Sequence, residues 1–447
     1  MSHLMPGLKG RSMNHAAVIL AGFSTALLIG TGLLMLPVST VHEGGIGVLP
    51  ALFTATSALC VTGLTNVNTA SYWTHFGQAV IICLIQVGGF GVMSFATILG
   101  QAVIRRANLN ANLVSATERR SPMGGVSKLL KRVLGITIVV ELLVATALTI
   151  RFLTLGFPLH SAIWHGAFHA ISAFNNAGFS LFPENLVPYV GDWFICVPLI
   201  TAIVIGGLGF PVLFQLRNDL FRPYRWTLHT RMVLFGTATL LVTSSLVITA
   251  FEWFNPKTLG KLPVSDAILA GIFQAVQTRT TGFNSIDIGQ MFEPTLFFMD
   301  ILMFIGGGPA GTAGGIKITT LFVLLATVAS VVRGRKDATA FGKGISIEVV
   351  RQAITVTILS FTLVVVATLA LLVITDFSLS QVLFEVLSAF GTVGLSTGIT
   401  PQLGDISSLI IIVLMIVGRL GPITVATALA LAPKSAISLP KERPIIG

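Results

Sequence analysis

The chain has 447 residues, of which 53% are hydrophobic and only 10% carry charge, and its mean hydropathy is strongly positive. This composition excludes an ordinary soluble domain and is typical of proteins that cross the membrane several times. The net charge of +10 does not indicate a nucleic-acid partner, because the basic residues lie between apolar runs rather than among surface aromatic residues.

Apolar runs long enough to cross a bilayer recur along the whole chain. A membrane-spanning helix needs about 20 residues. The sequence predicts eight such helices, at 16–38, 76–104, 133–150, 193–216, 232–251, 295–332, 352–375 and 407–433. The predicted fold class is therefore an all-α polytopic membrane protein.

A short pattern of small or polar residues, then Gly, then Leu or Phe, lies between the two helices of each successive pair. We call its four copies the glycine loops; they are residues 60–65, 175–180, 279–284 and 392–397. Their central glycines are separated by 115, 104 and 112 residues. Such regular spacing indicates four units of similar structure. The predicted repeats are 1–107, 108–218, 219–335 and 336–447.

Each glycine loop follows a short segment with a pattern of its own. In three copies, Phe lies ten residues and Ser six residues before the glycine; the third copy has Phe273 one residue closer and lacks the serine. About ten residues cannot cross a bilayer, so each segment is predicted to be a re-entrant half-helix that carries its loop to mid-depth. The C-terminal end of a helix is partially negative, which favours a cation beside it.

The charged residues predict the orientation. Of the 27 Lys and Arg residues, 21 lie on the side of the two termini, which an even number of spans places together. The positive-inside rule makes that side cytoplasmic. The opposite side carries the acidic residues Glu43, Glu184, Asp192, Glu252, Asp266, Asp287, Glu293, Asp376 and Asp405. An acidic vestibule there would raise the local concentration of cations.

Four glycine loops around one axis can form a cation filter. Rings of backbone carbonyls replace the hydration shell of a monovalent cation, and glycine permits positive φ and close backbone approach. The predicted filter residues, which would bind K⁺, are Val61, Thr62, Gly63, Asn176, Ala177, Gly178, Thr280, Thr281, Gly282, Thr392, Val393 and Gly394. The alternative is that the glycines only allow close helix packing. That alternative explains one copy better than four copies at similar spacing.

Four helix, pore-loop, helix units with one glycine each resemble the Trk/Ktr/HKT superfamily of potassium transporters, and the resemblance covers nearly the whole chain. The first predicted span begins at residue 16. That start leaves no room for the extra N-terminal helix pair of the Trk branch. The bacterial Ktr membrane subunits (KtrB) are therefore the branch that the chain most resembles. In the superfamily, glycine in all four loops is associated with potassium transport, whereas serine in the first loop of some plant members is associated with sodium transport. The resemblance implies potassium uptake; a sodium-selective or sodium-dependent transporter is the alternative.

The resemblance also implies an assembly and a location. We expect a homodimer, surrounded by lipid in the plasma membrane (the bacterial inner membrane), with both termini cytoplasmic. A KtrA-like ring of cytosolic nucleotide-binding regulatory subunits would dock on it, although the basic cytoplasmic loops suit anionic lipid equally well. The nucleotide would bind to that partner. No cofactor is expected on this chain, and K⁺, or Na⁺ in the alternative, is the transported ion.

The sixth predicted span, 295–332, is interrupted. As one helix it would be about 57 Å long at about 1.5 Å per residue, whereas the hydrocarbon core is about 30 Å thick. The interruption, which we call the Gly-rich loop (306–315), contains Gly306, Gly307, Gly308, Pro309, Gly311, Gly314 and Gly315. Irregular backbone at membrane depth lines a cavity or is buried in protein. The loop is therefore predicted to be a movable constriction under the filter, and the resemblance implies the same role, an intramembrane gate.

A phosphate-binding loop is the runner-up for this segment. That motif requires Gly before Lys and Ser or Thr after it, whereas Lys317 lies between two isoleucines. The sequence contains no HExxH motif and no paired carboxylates within a span that would indicate a catalytic site. The chain is expected not to be an enzyme.

Two basic residues, Lys317 and Arg419, lie inside predicted spans. Such a charge costs about 2.5–3.5 kcal/mol and usually faces a cavity or a partner. Arg419 is predicted to lie under the filter near the Gly-rich loop as an electrostatic barrier, a role that the resemblance implies for an Arg of this helix. The alternative is a structural pair with Asp300 or Glu141. For Lys317 a gate role and a structural role are equally open.

Arg279 lies three residues before Gly282. A positive charge facing the filter would repel a cation. The side chain is therefore predicted to point behind the loop and to hold it, with Glu385 or Asp287 as its partner.

Overall fold

The computed structural model describes residues 15–42, 44–90, 122–335 and 337–421. Within these ranges the regular secondary structure is helical apart from one hairpin, in which Thr339–Ala340 pairs with Lys343–Gly344. The helices are α1 His15–Leu34, α2 Val48–Cys60, α3 Thr69–Tyr72, α4 His75–Phe90, α5 Pro122–Thr154, α6 Leu159–Phe174, α7 Trp193–Leu208, α8 Phe210–Asp219, α9 Leu228–Glu252, α10 Val264–Gln277, α11 Glu293–Phe304, α12 Ile318–Val332, α13 Ile347–Ile374, α14 Leu379–Gly391 and α15 Asp405–Leu420. The predicted all-α class is confirmed.

Three helices in the described part of the chain are each long and apolar enough to cross a membrane: Lys131–Thr154 within α5, and the whole of α9 and α13. Between 28% and 33% of the residues in their apolar windows are buried, so most of this apolar surface faces outward. Such a surface suits contact with lipid rather than water. The predicted segments 91–104 and 422–433 lie outside the described residues.

The predicted continuous span at 193–216 is wrong. Its two halves, α7 and α8, meet at a bend of 101°. Gly209 lies at the bend with φ +89°, a conformation that ends a helix and that glycine adopts without a steric penalty. The predicted interruption of the sixth span is confirmed, because α11 ends at Phe304 and α12 begins at Ile318.

Four shorter helices, α2, α6, α10 and α14, precede the four glycine loops. They have 13, 16, 14 and 13 residues, more than the ten or so predicted but fewer than a membrane span needs. Their repeated phenylalanines are fully buried: Phe53, Phe168, Phe273 and Phe384. These helices form the interior of the protein, each with its C-terminal end at a glycine loop.

Candidate functional site

The four repeated glycines meet at one place. A Cβ on Gly178 would overlap the backbone of Gly282, and one on Gly282 would lie 2.8 Å from the backbone of Gly394. A Cβ on Gly394 would overlap the first glycine loop, and one on Gly63 would overlap the second. Each loop thus contacts the next in chain order, and the fourth closes on the first. This ring of loops has no space for a side chain at any of its four glycines.

The residue two positions before each glycine has a positive φ. The values are 57° at Val61, 60° at Asn176, 119° at Thr280 and 49° at Thr392. Val and Thr are β-branched and rarely adopt this conformation, which costs roughly 1–3 kcal/mol per residue. A positive φ at this position in all four loops, three times on a β-branched residue, marks a site whose backbone course matters. The sequence pattern did not predict it, because local preference opposes it.

Serine side chains hold three of the loops from behind. The Gly63 N–H donates to Ser57 Oγ (3.1 Å), and the Gly394 N–H donates to Ser388 Oγ (3.0 Å). In the second loop Ser172 Oγ donates to the Phe179 carbonyl (2.9 Å). These are the serines that recur six residues before the glycine. The hydrogen bonds of these serine side chains fix the course of the loop backbone.

A cavity of about 430 Å³ opens on one side of the ring. Gly63, Gly282 and Gly394 line it, together with the acidic residues Glu184 and Asp287. Two of the predicted vestibule acids are therefore placed beside the glycines. A cavity wall with this charge attracts cations.

Other predicted vestibule acids have structural contacts instead. Glu252 is fully buried, and its carboxylate accepts hydrogen bonds from the Phe292 N–H (2.9 Å) and Thr295 Oγ1 (2.5 Å). Asp192 pairs with Arg151, with an Nε to Oδ2 distance of 2.8 Å. The prediction that Glu252 lies at the vestibule is wrong, because it joins the end of α9 to the start of α11.

The Gly-rich loop is bound to the bend between α7 and α8. The Gly308 N–H donates to the Gly207 carbonyl (2.8 Å), and the Thr312 N–H donates to the Gly206 carbonyl (3.2 Å). In return, the Phe210 N–H donates to the Ala310 carbonyl (3.2 Å). The two irregular segments thus satisfy each other's backbone groups, which buried irregular backbone requires.

The Gly-rich loop also touches the glycine loops. A Cβ on Gly314 would overlap the side chain of Thr392. The Asn176 amide, in the orientation that satisfies both of its polar atoms, accepts from Thr280 Oγ1 (2.9 Å) and donates to Thr312 Oγ1 (3.1 Å). One side chain of the second glycine loop therefore links the third glycine loop to the Gly-rich loop.

A second cavity, of about 600 Å³, is lined by Pro309, Gly315 and Lys317 together with Gly421. It shares no lining residue with the cavity beside the glycines. The Lys317 ammonium donates to the carbonyls of Ala313 (2.6 Å) and Gly314 (3.2 Å). It therefore binds the last part of the Gly-rich loop that precedes it.

Arg419 is 4% exposed and lies against the Gly-rich loop. Its guanidinium donates to the Thr312 carbonyl and to the Gly88 carbonyl (3.0 Å). No carboxylate in the described part of the chain pairs with it, so the alternative of a structural pair with Asp300 or Glu141 is wrong. Arg419 bridges the loop to the end of α4.

Arg279 contacts α9 and pairs with no acid of the described residues. It is 8% exposed, and its Nη2 donates to Thr237 Oγ1 (3.4 Å). Glu385 accepts from Ser396 Oγ (2.9 Å) instead. Asp287 Oδ1 accepts from the backbone N–H of Gly289 in its own turn (3.0 Å). The predicted pairing with Glu385 or Asp287 is therefore wrong.

A second glycine repeat escaped the sequence analysis. A glycine follows each ring glycine by 24 to 28 residues: Gly88, Gly206, Gly306 and Gly418. A Cβ on Gly88, Gly206 or Gly418 would overlap a carbonyl oxygen at the C-terminal end of the short helix of its own repeat. This spacing was the signal that could have located the carbonyls now bound by Arg419 and the Gly-rich loop.

The comparisons with known proteins agree with this architecture. The family model described as TrkH, cation transport protein, matches residues 8–439. The chain is 41% identical to the Ktr system potassium uptake protein B of Bacillus subtilis, over 95% of this chain and 94% of the relative. It is 34% identical to the protein of the same name from Vibrio alginolyticus, over 96% and 94%. It is 36% identical to the potassium/sodium uptake protein NtpJ of Enterococcus hirae, over 94% and 93%.

The fold is similar to the crystal structure of the potassium transporter TrkH from Vibrio parahaemolyticus. The TM-score is 0.72 at 19% sequence identity, covering 95% of this chain and 87% of that one. This likeness supports the fold, and the family match with relatives above 30% identity supports the relationship. The chain belongs to the TrkH family of cation transport proteins.

Proposed function

We propose that this chain takes up potassium across the plasma membrane through a single-chain pore whose filter is the ring of four glycine loops. The observation that carries the proposal is the closed contact of Gly63, Gly178, Gly282 and Gly394, which come from distant parts of the sequence. Loops that meet this closely can surround one dehydrated cation with backbone carbonyls. The curated relatives from Bacillus and Vibrio are named as potassium uptake proteins, which supports potassium as the ion.

The Gly-rich loop is the gate in this proposal. It contacts the glycine loops through Asn176 and Thr392 and also lines the second cavity, so it occupies the route between the two cavities. Glycine permits a wide range of φ and ψ, so this backbone can adopt a second course once its bonds to Gly206 and Gly207 are released. Arg419 and Lys317 hold the loop in the arrangement described above, and Arg419 adds positive charge on the cation's path.

The orientation and the assembly are part of the same proposal. The four helix, pore-loop, helix repeats surround one pore, and the short helices enter the membrane and return. Both termini face the cytoplasm, in keeping with the distribution of basic residues. The relatives named as components of a Ktr system make a regulatory partner reasonable. We propose a homodimer on a ring of cytosolic nucleotide-binding subunits.

Growth at low potassium tests the proposed function. In cells lacking their own uptake systems, the intact chain with its cognate regulator is expected to restore growth. The Gly282→Ser variant should require about tenfold more potassium, because its Cβ has only 2.8 Å to the Gly394 backbone and must widen the ring. The control is Gly404→Ala, where a Cβ meets nothing within 4 Å. No rescue by a correctly inserted chain, or equal growth of both variants, would refute the filter assignment.

Sodium is the second candidate, and the name of the Enterococcus relative, a potassium/sodium uptake protein, favours testing it. None of the four loops has the TVGYG sequence that potassium channels use. Uptake of labelled K⁺ into proteoliposomes with increasing external Na⁺ distinguishes the two. Competition by Na⁺ at equal concentration, or a strict need for Na⁺, would favour the sodium-linked alternative.

Replacing Ser388 by Ala is expected to lower the preference for K⁺ over Na⁺ about fivefold, since losing a hydrogen bond to the loop costs about 1 kcal/mol and lets Gly394 shift. The measurement is the ratio of uptake rates for the two ions in proteoliposomes. Ser265→Ala is the control, because that exposed hydroxyl bonds only to Asp266. An unchanged ratio in the Ser388 variant would show that the serine does not set the geometry of the loop.

A further inference from the structure

The buried guanidinium of Arg279 has too few partners for its charge. The side chain is 92% removed from solvent, and its one side-chain contact, to Thr237 Oγ1, is neutral and long at 3.4 Å. Its Nε has no hydrogen-bond partner among the residues that the structure describes. No Asp or Glu oxygen of the described residues lies within ion-pair distance. Burying such a charge without an acceptor is costly, so a missing acceptor is expected.

A small, partly enclosed space adjoins this guanidinium. Its volume is about 20 Å³, and its polar lining consists of Arg279, Thr237 and Asn176, with Gly207 and Gly307 contributing backbone. Ile203, Val204, Leu241 and Val276 form the apolar remainder. A space of this size holds one particle about as large as a water molecule. It does not hold a carboxylate or a phosphate.

We propose that this space binds one small monovalent inorganic anion, with chloride as its natural occupant. Arg279 supplies positive charge and the unpartnered Nε donor. Thr237 Oγ1 accepts from Arg279, so its own proton is free to point at the anion. A water molecule would satisfy the donors but leave the charge uncompensated, and in an apolar enclosure the uncompensated charge is the larger cost.

The position of this site gives it a consequence for transport, and that consequence rests on the proposed function. Arg279 precedes Gly282 by three residues, so its bare charge would disfavour a cation in the ring. A bound anion neutralises that charge. Potassium binding in the ring is then expected to become weaker when the anion is removed.

Diffraction and thermal unfolding of the full chain test the site without relying on transport. Crystals grown in bromide are expected to show one anomalous peak beside Arg279, absent in Arg279→Gln. In detergent, replacing chloride by gluconate at constant ionic strength should lower the unfolding midpoint of the wild type but not that of Arg279→Gln. Arg151→Gln, which removes an arginine paired with Asp192, is the matched control and should keep the chloride response.

Thr237→Val provides a second variant if Arg279→Gln does not fold. It should require about tenfold more chloride for half of the stabilisation, since one donor to the anion is lost. No bromide peak together with equal midpoints in chloride and gluconate would overturn the proposal and leave a water in the space. Failure of potassium transport with an intact halide response would instead contradict the filter assignment and leave this site standing.

Discussion

Gly178→Ala is expected to reduce potassium uptake by about a hundredfold or more. The new Cβ would overlap the backbone of Gly282, and Gly178 has φ +69°, where alanine is strained. A clash with backbone cannot be relieved by a side-chain rotation, so one loop must leave the ring. Losing about 2.7 kcal/mol of ion coordination is enough for a hundredfold change.

The measurement is uptake of labelled K⁺ by purified protein in proteoliposomes, with size-exclusion profiles to confirm folding. Gly398→Ala is the matched control, because Gly398 also has a positive φ, +96°, but a Cβ there meets nothing within 4 Å. This control separates the effect of backbone strain on uptake from the effect of the contacts among the four glycine loops. If both variants lose uptake equally, strain is responsible and the contact among the loops is not essential. If Gly178→Ala retains uptake, the ring is not the conduction path.

Arg419→Ala is expected to raise cation flux about tenfold in the absence of the regulatory partner. Arg419 joins the Gly-rich loop, through the Thr312 carbonyl, to α4 through the Gly88 carbonyl. Hydrogen bonds from a charged donor contribute about 1.5–3 kcal/mol each, and about 1.4 kcal/mol shifts a two-state equilibrium tenfold. Removing them frees the loop and also removes a positive charge from the path. Unchanged or lower flux in folded protein would contradict this role.

Arg419→Lys separates the two contributions of this residue. Lysine keeps the charge, but its single ammonium group cannot span two carbonyls as a guanidinium does. Low flux in the Lys variant would identify charge repulsion as the barrier. Flux as high as in Arg419→Ala would identify the clamp on the loop. The same proteoliposome assay, run without regulator, gives both answers.

Much of the architecture could be predicted because it follows from local composition. The apolar runs and the broken sixth span each leave a signal within a short window. The four glycines leave a signal in their regular spacing. The bend at Gly209 was missed because a Gly in an apolar run is compatible with a continuous helix until its partner is known. That partner is the Gly-rich loop, about a hundred residues later, whose carbonyl at Ala310 accepts the Phe210 N–H.

The partners of the buried charges could not be predicted for a similar reason. Sequence reasoning gave Arg279 a carboxylate partner and kept one as the alternative for Arg419, since acids are the usual partners of buried bases. The structure gives Arg419 two backbone carbonyls and gives Arg279 a threonine. Any residue can supply a backbone carbonyl, so the signal in the sequence was indirect, namely the second glycine repeat that includes Gly88 and Gly206.

The sequence by itself determined that this protein is an all-helical membrane protein with four glycine loops, because hydropathy and spacing are properties of the chain alone. Only the tertiary structure decided that the loops close on one another, which serine holds which glycine, and that the Gly-rich loop is bound between Gly206, Asn176 and Arg419. The physical reason is that these contacts join backbone atoms up to hundreds of residues apart. Their directions are set by helix packing, which short-range patterns do not encode.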